Sequence, residues 1–171
     1  MLVRLWDEIN ERFSRADKKK EVVKILFKYG LRITEKGEIY LGTVRIPYVS
    51  IAKAAGVDRR TVKETVNELL KSPFLKEFFS RLEPAGPFLR KVSRLLGYYC
   101  IMVEVSRDQP GILASVSGIL ARRGINIVQA LAEDPNMVND PKLYIITSSP
   151  VSSEALEEML KNPIIKSITL M

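Results

Sequence analysis

Tyr98-Tyr-Cys-Ile-Met-Val-Glu-Val105 is the stretch at which the pattern of the chain changes from helical to alternating. It sets Ile101, Val103 and Val105 on one face of a strand. Helical spacing returns with Leu113, Val116, Ile119 and Leu120, and Gly124 ends that helix. Residues 125–132 and 143–149 read as two further strands. Ser152 or Ser153 then caps a helix carrying Leu156, Met159 and Leu160, Asn162-Pro163 stops it, and residues 164–170 make a last strand. The order β-α-β-β-α-β predicts an antiparallel sheet with both helices on one face, a ferredoxin-like arrangement, over residues 98–171.

Upstream of Tyr98 the apolar residues follow a different rule. Leu2, Leu5, Trp6, Ile9 and Phe13, and then Val22, Ile25, Leu26 and Tyr29 before Gly30, predict two amphipathic helices. Residues 32–41 alternate around a Lys36-Gly37 turn, as a short hairpin would. Pro47 opens a helix that Gly56 interrupts. Asp58 caps another with Val62, Val66, Leu69 and Leu70 on its apolar side, so two short helices flank a tight turn. Ser72-Pro73 starts a further helix, residues 84–87 break it, and residues 88–96 resume it until Gly97 stops it directly before the first strand. The expected division is therefore 1–97 and 98–171, an α+β chain with a mostly helical, winged helix-turn-helix half followed by the βαββαβ half.

Charge separates the same halves. Residues 1–97 hold 21 Lys and Arg against 12 Asp and Glu, whereas residues 98–171 hold 6 against 8. A basic excess confined to one half points to a polyanionic partner there. The chain has one cysteine, Cys100, and no histidine, which removes intramolecular disulfides and the commonest general base and metal ligand. Neither a metal nor a cofactor is expected. No Gly-rich phosphate loop, paired carboxylates in a cleft or activated nucleophile can be found, so the chain reads as a non-enzyme. Apolar runs fall short of a membrane span, and the charged start from Met1 to Glu8 does not read as a signal peptide; a cytoplasmic location is expected.

Tyr48-Val-Ser-Ile-Ala-Lys-Ala-Ala-Gly-Val-Asp-Arg-Arg-Thr-Val-Lys-Glu-Thr-Val-Asn67 resembles the helix-turn-helix of bacterial and archaeal repressors. Small Ala52 sits where two helices cross, Gly56 at the turn, and Val57, Val62 and Val66 as buried pegs. The resemblance implies a second helix lying in the major groove of double-stranded DNA. Arg59, Arg60, Lys63 and Asn67 then project from the side opposite the core. Arg pairs bidentately with guanine and Asn with adenine, while Lys53 and Lys71 suit phosphates.

Asp108-Gln-Pro-Gly-Ile-Leu113, then Ile119-Leu120, then Gly124-Ile-Asn-Ile127 resembles the signature of ACT domains. This implies a module that senses an amino acid and forms a homodimer or higher homo-oligomer. Asp108, Gln109, Pro110, Gly111, Ile112, Leu113 and Asn126 are the ligand-site candidates. Gly111 exposes backbone to a ligand, the first helical turn receives a carboxylate, Asp108 answers an ammonium group, and the family resemblance implies that Asn126 faces a ligand at the subunit junction. Residues 133–141 depart from the family in being a longer, acidic connection. The order of the two halves resembles archaeal proteins described as predicted regulators of amino-acid metabolism. The function expected is an amino-acid-responsive transcriptional regulator; the alternative is a regulatory subunit of an amino-acid metabolic enzyme that does not bind DNA and uses its ACT half to dimerise.

Overall fold

Helical spacing in the first half resolves into five helices around a small sheet: α1 (Leu5–Arg12), α2 (Asp17–Lys28), β1 (Arg32–Ile33), β2 (Ile39–Leu41), β3 (Val44–Ile46), α3 (Tyr48–Ala55), α4 (Arg59–Lys71) and α5 (Pro73–Arg81). The protein is described by a computed structural model over residues 5–171, so Leu2 of the first apolar stripe lies outside the described residues. Ile9, Phe13, Val22, Val23, Leu26, Ile51, Val62, Val66, Leu69, Leu75 and Phe79 form one buried core. The expected hairpin at residues 32–41 is present, with Ile33 opposite Ile39. It gains a third strand, β3, paired antiparallel to β2. Only three residues long and mostly exposed, β3 has no buried face to leave an alternating trace.

Turn chemistry sets the helix pair. Gly56 ends α3 in the left-handed conformation at φ 65°, and Val57 N–H reaches back to the Ala52 carbonyl. Asp58 then caps α4, accepting from the Thr61 N–H at 2.7 Å and the Thr61 hydroxyl at 3.0 Å. These bonds hold the Asp58 carboxyl below its ordinary pKa. At the other end of α4, buried Ser72 caps α5 through the Leu75 N–H and donates its hydroxyl to Glu8 of α1. Ser72→Ala removes the cap and leaves Glu8 without that donor. A loss of about 1–2 kcal/mol is expected in urea unfolding followed by the fluorescence of Trp6.

The second half has the expected strands and helices: β4 (Tyr99–Val105), α6 (Ile112–Arg122), β5 (Ile127–Ala132), β6 (Lys142–Thr147), α7 (Ser153–Leu160) and β7 (Ile165–Leu170). The antiparallel sheet has the order β5-β6-β4-β7. Ile101, Val103, Leu143 and Ile145 face Val116, Leu120, Ala155 and Met159 of the two helices.

The division between the units differs from the expected one at Gly97. It falls between Gly86 and Pro87, because residues 87–97 pack on the sheet. They form two short 3₁₀ turns, Leu89–Lys91 and Arg94–Leu96, in place of one continuous helix. This strap lies over the sheet face opposite the helices, where Leu89 packs with Cys100, Tyr144 and Ile146. Gln129 of β5 clamps it, accepting from the Leu89 N–H at 3.0 Å and donating to the Pro87 carbonyl at 2.9 Å. Arg90 donates to the Tyr144 hydroxyl at 2.9 Å and stacks over that ring. Moving Arg90, Lys91 and Arg94 across the boundary brings the formal charges to +6 for residues 1–86 and +1 for residues 87–171. The basic excess of the first unit survives, smaller than a division at Gly97 gives it. Residues 82–88, which carry the chain from α5 to the strap, have no regular structure, so α5 does not lead directly into β4.

Candidate functional site

An α-helix whose buried residues fall on one arc must show its remaining residues on the other. In α4, Val62, Thr65, Val66 and Leu69 are buried. Arg59, Lys63 and Asn67 follow one another at i, i+4 spacing on the exposed side, joined by Arg60 and Lys71. All five are exposed, as is Lys53 on α3. The structure thus brings the expected DNA-contacting side chains of α4 onto one solvent-facing surface. Glu64 and Glu68 border it. Glu64 accepts from Arg60 at 2.9 Å and lies 3.4 Å from Lys19, and these cations hold its carboxyl below the ordinary range. Arg60 is 89% exposed in this pair. Such an exposed i, i+4 bridge is weak in water, so little opposes its release to another acceptor.

The second group of candidates sits where β4 passes to α6. Gly111 precedes the helix at φ 97°, a conformation that only glycine adopts readily. Ser115 N–H pairs with the Gly111 carbonyl, so the earlier N–H groups of Ile112, Leu113 and Ala114 precede the first helical hydrogen bond. A cavity of about 210 Å³ opens here, with Asp108, Gln109, Gly111, Ile112 and Leu113 along one side. Its other wall comes from Ala132, Glu133, Pro135, Pro141 and Lys142, that is, from the long acidic connection and its flanks. Glu133, Lys142 and the prolines were not among the expected site residues; the unusual length of residues 133–141 was the signal that could have found them.

Lys142 is committed within this wall. Its ammonium group donates to Glu104 on β4 and to Asp140 at 3.0 Å. The bond to Glu104 raises its pKa above the ordinary lysine value and lowers that of Glu104. Lys142 N–H in turn donates to Glu133 Oε2 at 3.1 Å. Pro110 and Asn126 do not line the cavity. Ile127 pairs with Thr147, and Thr147 with Tyr99, so Asn126 lies beside the start of β4, whereas Asp108 and Gly111 follow its end. A seven-residue strand, about 20 Å at 3.3 Å per residue, separates them within one chain.

Residues 101–135 match the family model of the ACT domain. No curated protein matches the chain. Among solved structures, a homoserine dehydrogenase from Thiobacillus denitrificans is similar at 16% identity and a TM-score of 0.34, covering 69% of this chain and 29% of its own. The chain thus spans less than a third of that enzyme. An AsnC family transcriptional regulator from Agrobacterium tumefaciens has 12% identity and a TM-score of 0.26, with 90% of this chain and 86% of that one covered. E. coli AsnC has 15% identity and a TM-score of 0.22, with 91% and 89% covered. Likenesses of this size carry no function across. No helix of the described residues is long and apolar enough to cross a membrane. The C-terminal unit thus has a βαββαβ sheet, and residues 101–135 within it match the ACT domain.

Proposed function

We propose that the protein is a transcriptional regulator that reads double-stranded DNA with α4 and answers to an amino acid bound by its ACT unit, working as a homodimer or higher homo-oligomer. The observation that carries the reading is the surface of Arg59, Arg60, Lys63, Asn67 and Lys71 on a helix with a tight glycine turn before it and a capped start. Positive side chains on one face of a second helix, with none of them used in the core, match what major-groove reading requires. Two copies related by a twofold axis would place their α4 helices about 34 Å apart, or at a multiple of that distance.

Selection of bound duplexes from a random-sequence pool at physiological salt tests this. One sequence with two related half-sites should be enriched. Arg60→Ala or Arg59→Ala should cost about 1–3 kcal/mol of binding free energy and broaden the base preference, while Lys53→Ala should weaken all duplexes alike. A pool that emerges unenriched would remove α4 as a reading helix.

A further inference from the structure

Between the small sheet and the helix pair of the N-terminal unit runs a groove of about 450 Å³. Three cations line it: Lys36 from the β1–β2 turn, Arg45 from β3 and Arg59 from the start of α4. Glu38 is the one carboxylate among its lining residues. It is engaged already, 3.1 Å from Arg45 and accepting from the Tyr40 hydroxyl at 3.3 Å. Arg45 remains 68% exposed in that pair, so its guanidinium is free to turn toward a stronger anion.

The sheet is fixed against the helices. Tyr48 at the start of α3 donates its hydroxyl to the Gly37 carbonyl at 2.5 Å. Gly37 has φ 79°, and a Cβ there would stand 3.2 Å from the Tyr48 hydroxyl and 3.4 Å from Val66 of α4. Glycine thus lets the turn rest directly on the helix pair, and Lys36 is carried beside α4 on a docked element.

We infer that this groove holds the phosphate backbone of the same duplex that α4 reads, with Lys36 and Arg45 as backbone contacts beside the base-reading surface. The inference rests on the DNA-binding reading above and extends the contact surface to an element that precedes the helix pair in the chain. Continuity supports it, since Arg59 both lines the groove and begins the exposed face of α4. Size supports it too. At about 450 Å³ the groove has room for several waters, and so for a sugar-phosphate unit in their place. Its cations are exposed and on long stems, which suits a polyanion drawn by charge.

The test measures the dependence of duplex affinity on salt, using a random-sequence duplex and the full chain. Each phosphate contact contributes about 0.9 to the slope of log affinity against log salt. The Lys36→Ala, Arg45→Ala double variant should lose about two contacts' worth of slope while keeping the base preference of the wild type in the selection assay. Lys166→Ala, a charge removed from the ACT unit, should leave the slope in place. Unchanged Trp6 fluorescence melts would show that the variants remain folded. A wild-type slope in the double variant would overturn the groove assignment and leave α4 as the reader. If the wild type itself bound no duplex at any salt, the proposed function would fall, and this inference with it.

Discussion

A Gly30→Val chain should lose a large share of the stability of its N-terminal unit while its C-terminal unit stays folded. Gly30 follows α2 in the left-handed conformation at φ 62°. A Cβ placed there would meet the Glu83 carbonyl oxygen at 2.5 Å and the Pro84 Cα at 2.6 Å, both main-chain atoms that cannot swing aside. Strained backbone costs about 1–3 kcal/mol, and overpacking adds about 1–3 kcal/mol. Together they take a large share of the roughly 5–15 kcal/mol that holds a domain folded. Gly56→Val separates the two contributions, because Gly56 has nearly the same φ, 65°, with nothing within 4 Å of a Cβ. It should show the conformational cost alone. Trp6, the one tryptophan of the sequence, lies in α1 with its ring edge-on to Phe27 at 5.4 Å, so its fluorescence reports the N-terminal unit. Equal shifts of the Trp6 transition in the two variants would mean that residues 83–84 do not hold their place over Gly30.

The features legible in the sequence are those in which one local requirement leaves one choice of residue. Gly56 and Asp58 were readable because a left-handed turn wants glycine and a helix start wants a short acceptor, and both do that work here. The β-α-β-β-α-β order was readable because its two helices each bury a stripe at helical spacing and its strands are short apolar runs set around them. The strap was not. Phe88, Leu89, Val92, Leu95 and Leu96 are spaced as on a helix, yet Leu89 turns to the sheet while Leu95 stands 85% exposed, so the pattern does not describe one buried stripe. The sequence did carry a sign of the strap's effect. Leu143-Tyr-Ile-Ile146 is an unbroken apolar run, the mark of a strand covered on both faces, whereas both helices were expected on one face with nothing named for the other. A strand bulge hid another point. The register shift between Ile127 and Gln129 puts Ile127 with the helices and Leu131 with the strap side, although simple alternation would give them one face.

An aliphatic α-amino acid present at about 100 times its dissociation constant should stabilise the C-terminal unit by roughly 2.7 kcal/mol. Hydrogen exchange of the β4 and β6 amides, which lie in the middle of the sheet, measures that gain. The cavity at Asp108, about 210 Å³, has room for a small zwitterion in place of several waters. Its composition supports the choice: the N–H groups of the first turn of α6 for a carboxylate, Asp108 for an ammonium group, and Ile112, Leu113 and Pro135 for an apolar side chain. Asp108→Asn keeps the shape and removes the charge, and should abolish the gain. Ala132→Phe should abolish it by filling the space. Gly111 is a poor probe, because at φ 97° any side chain brings strain whether or not a ligand binds. Asn126→Ala then decides where the ligand sits. Asn126 is a strand's length from the cavity in its own chain, so it can matter only if a second copy brings its own Asn126 to Asp108. A variant that keeps the full response would place the ligand inside one chain, between the 106–113 loop and the acidic connection. A lost response, with a wild-type gain that grows with protein concentration, would place it at the junction of two copies. If none of the aliphatic amino acids slowed exchange at β4 and β6, the cavity would have no such ligand, and only the proposed assembly would remain as a role for the C-terminal unit.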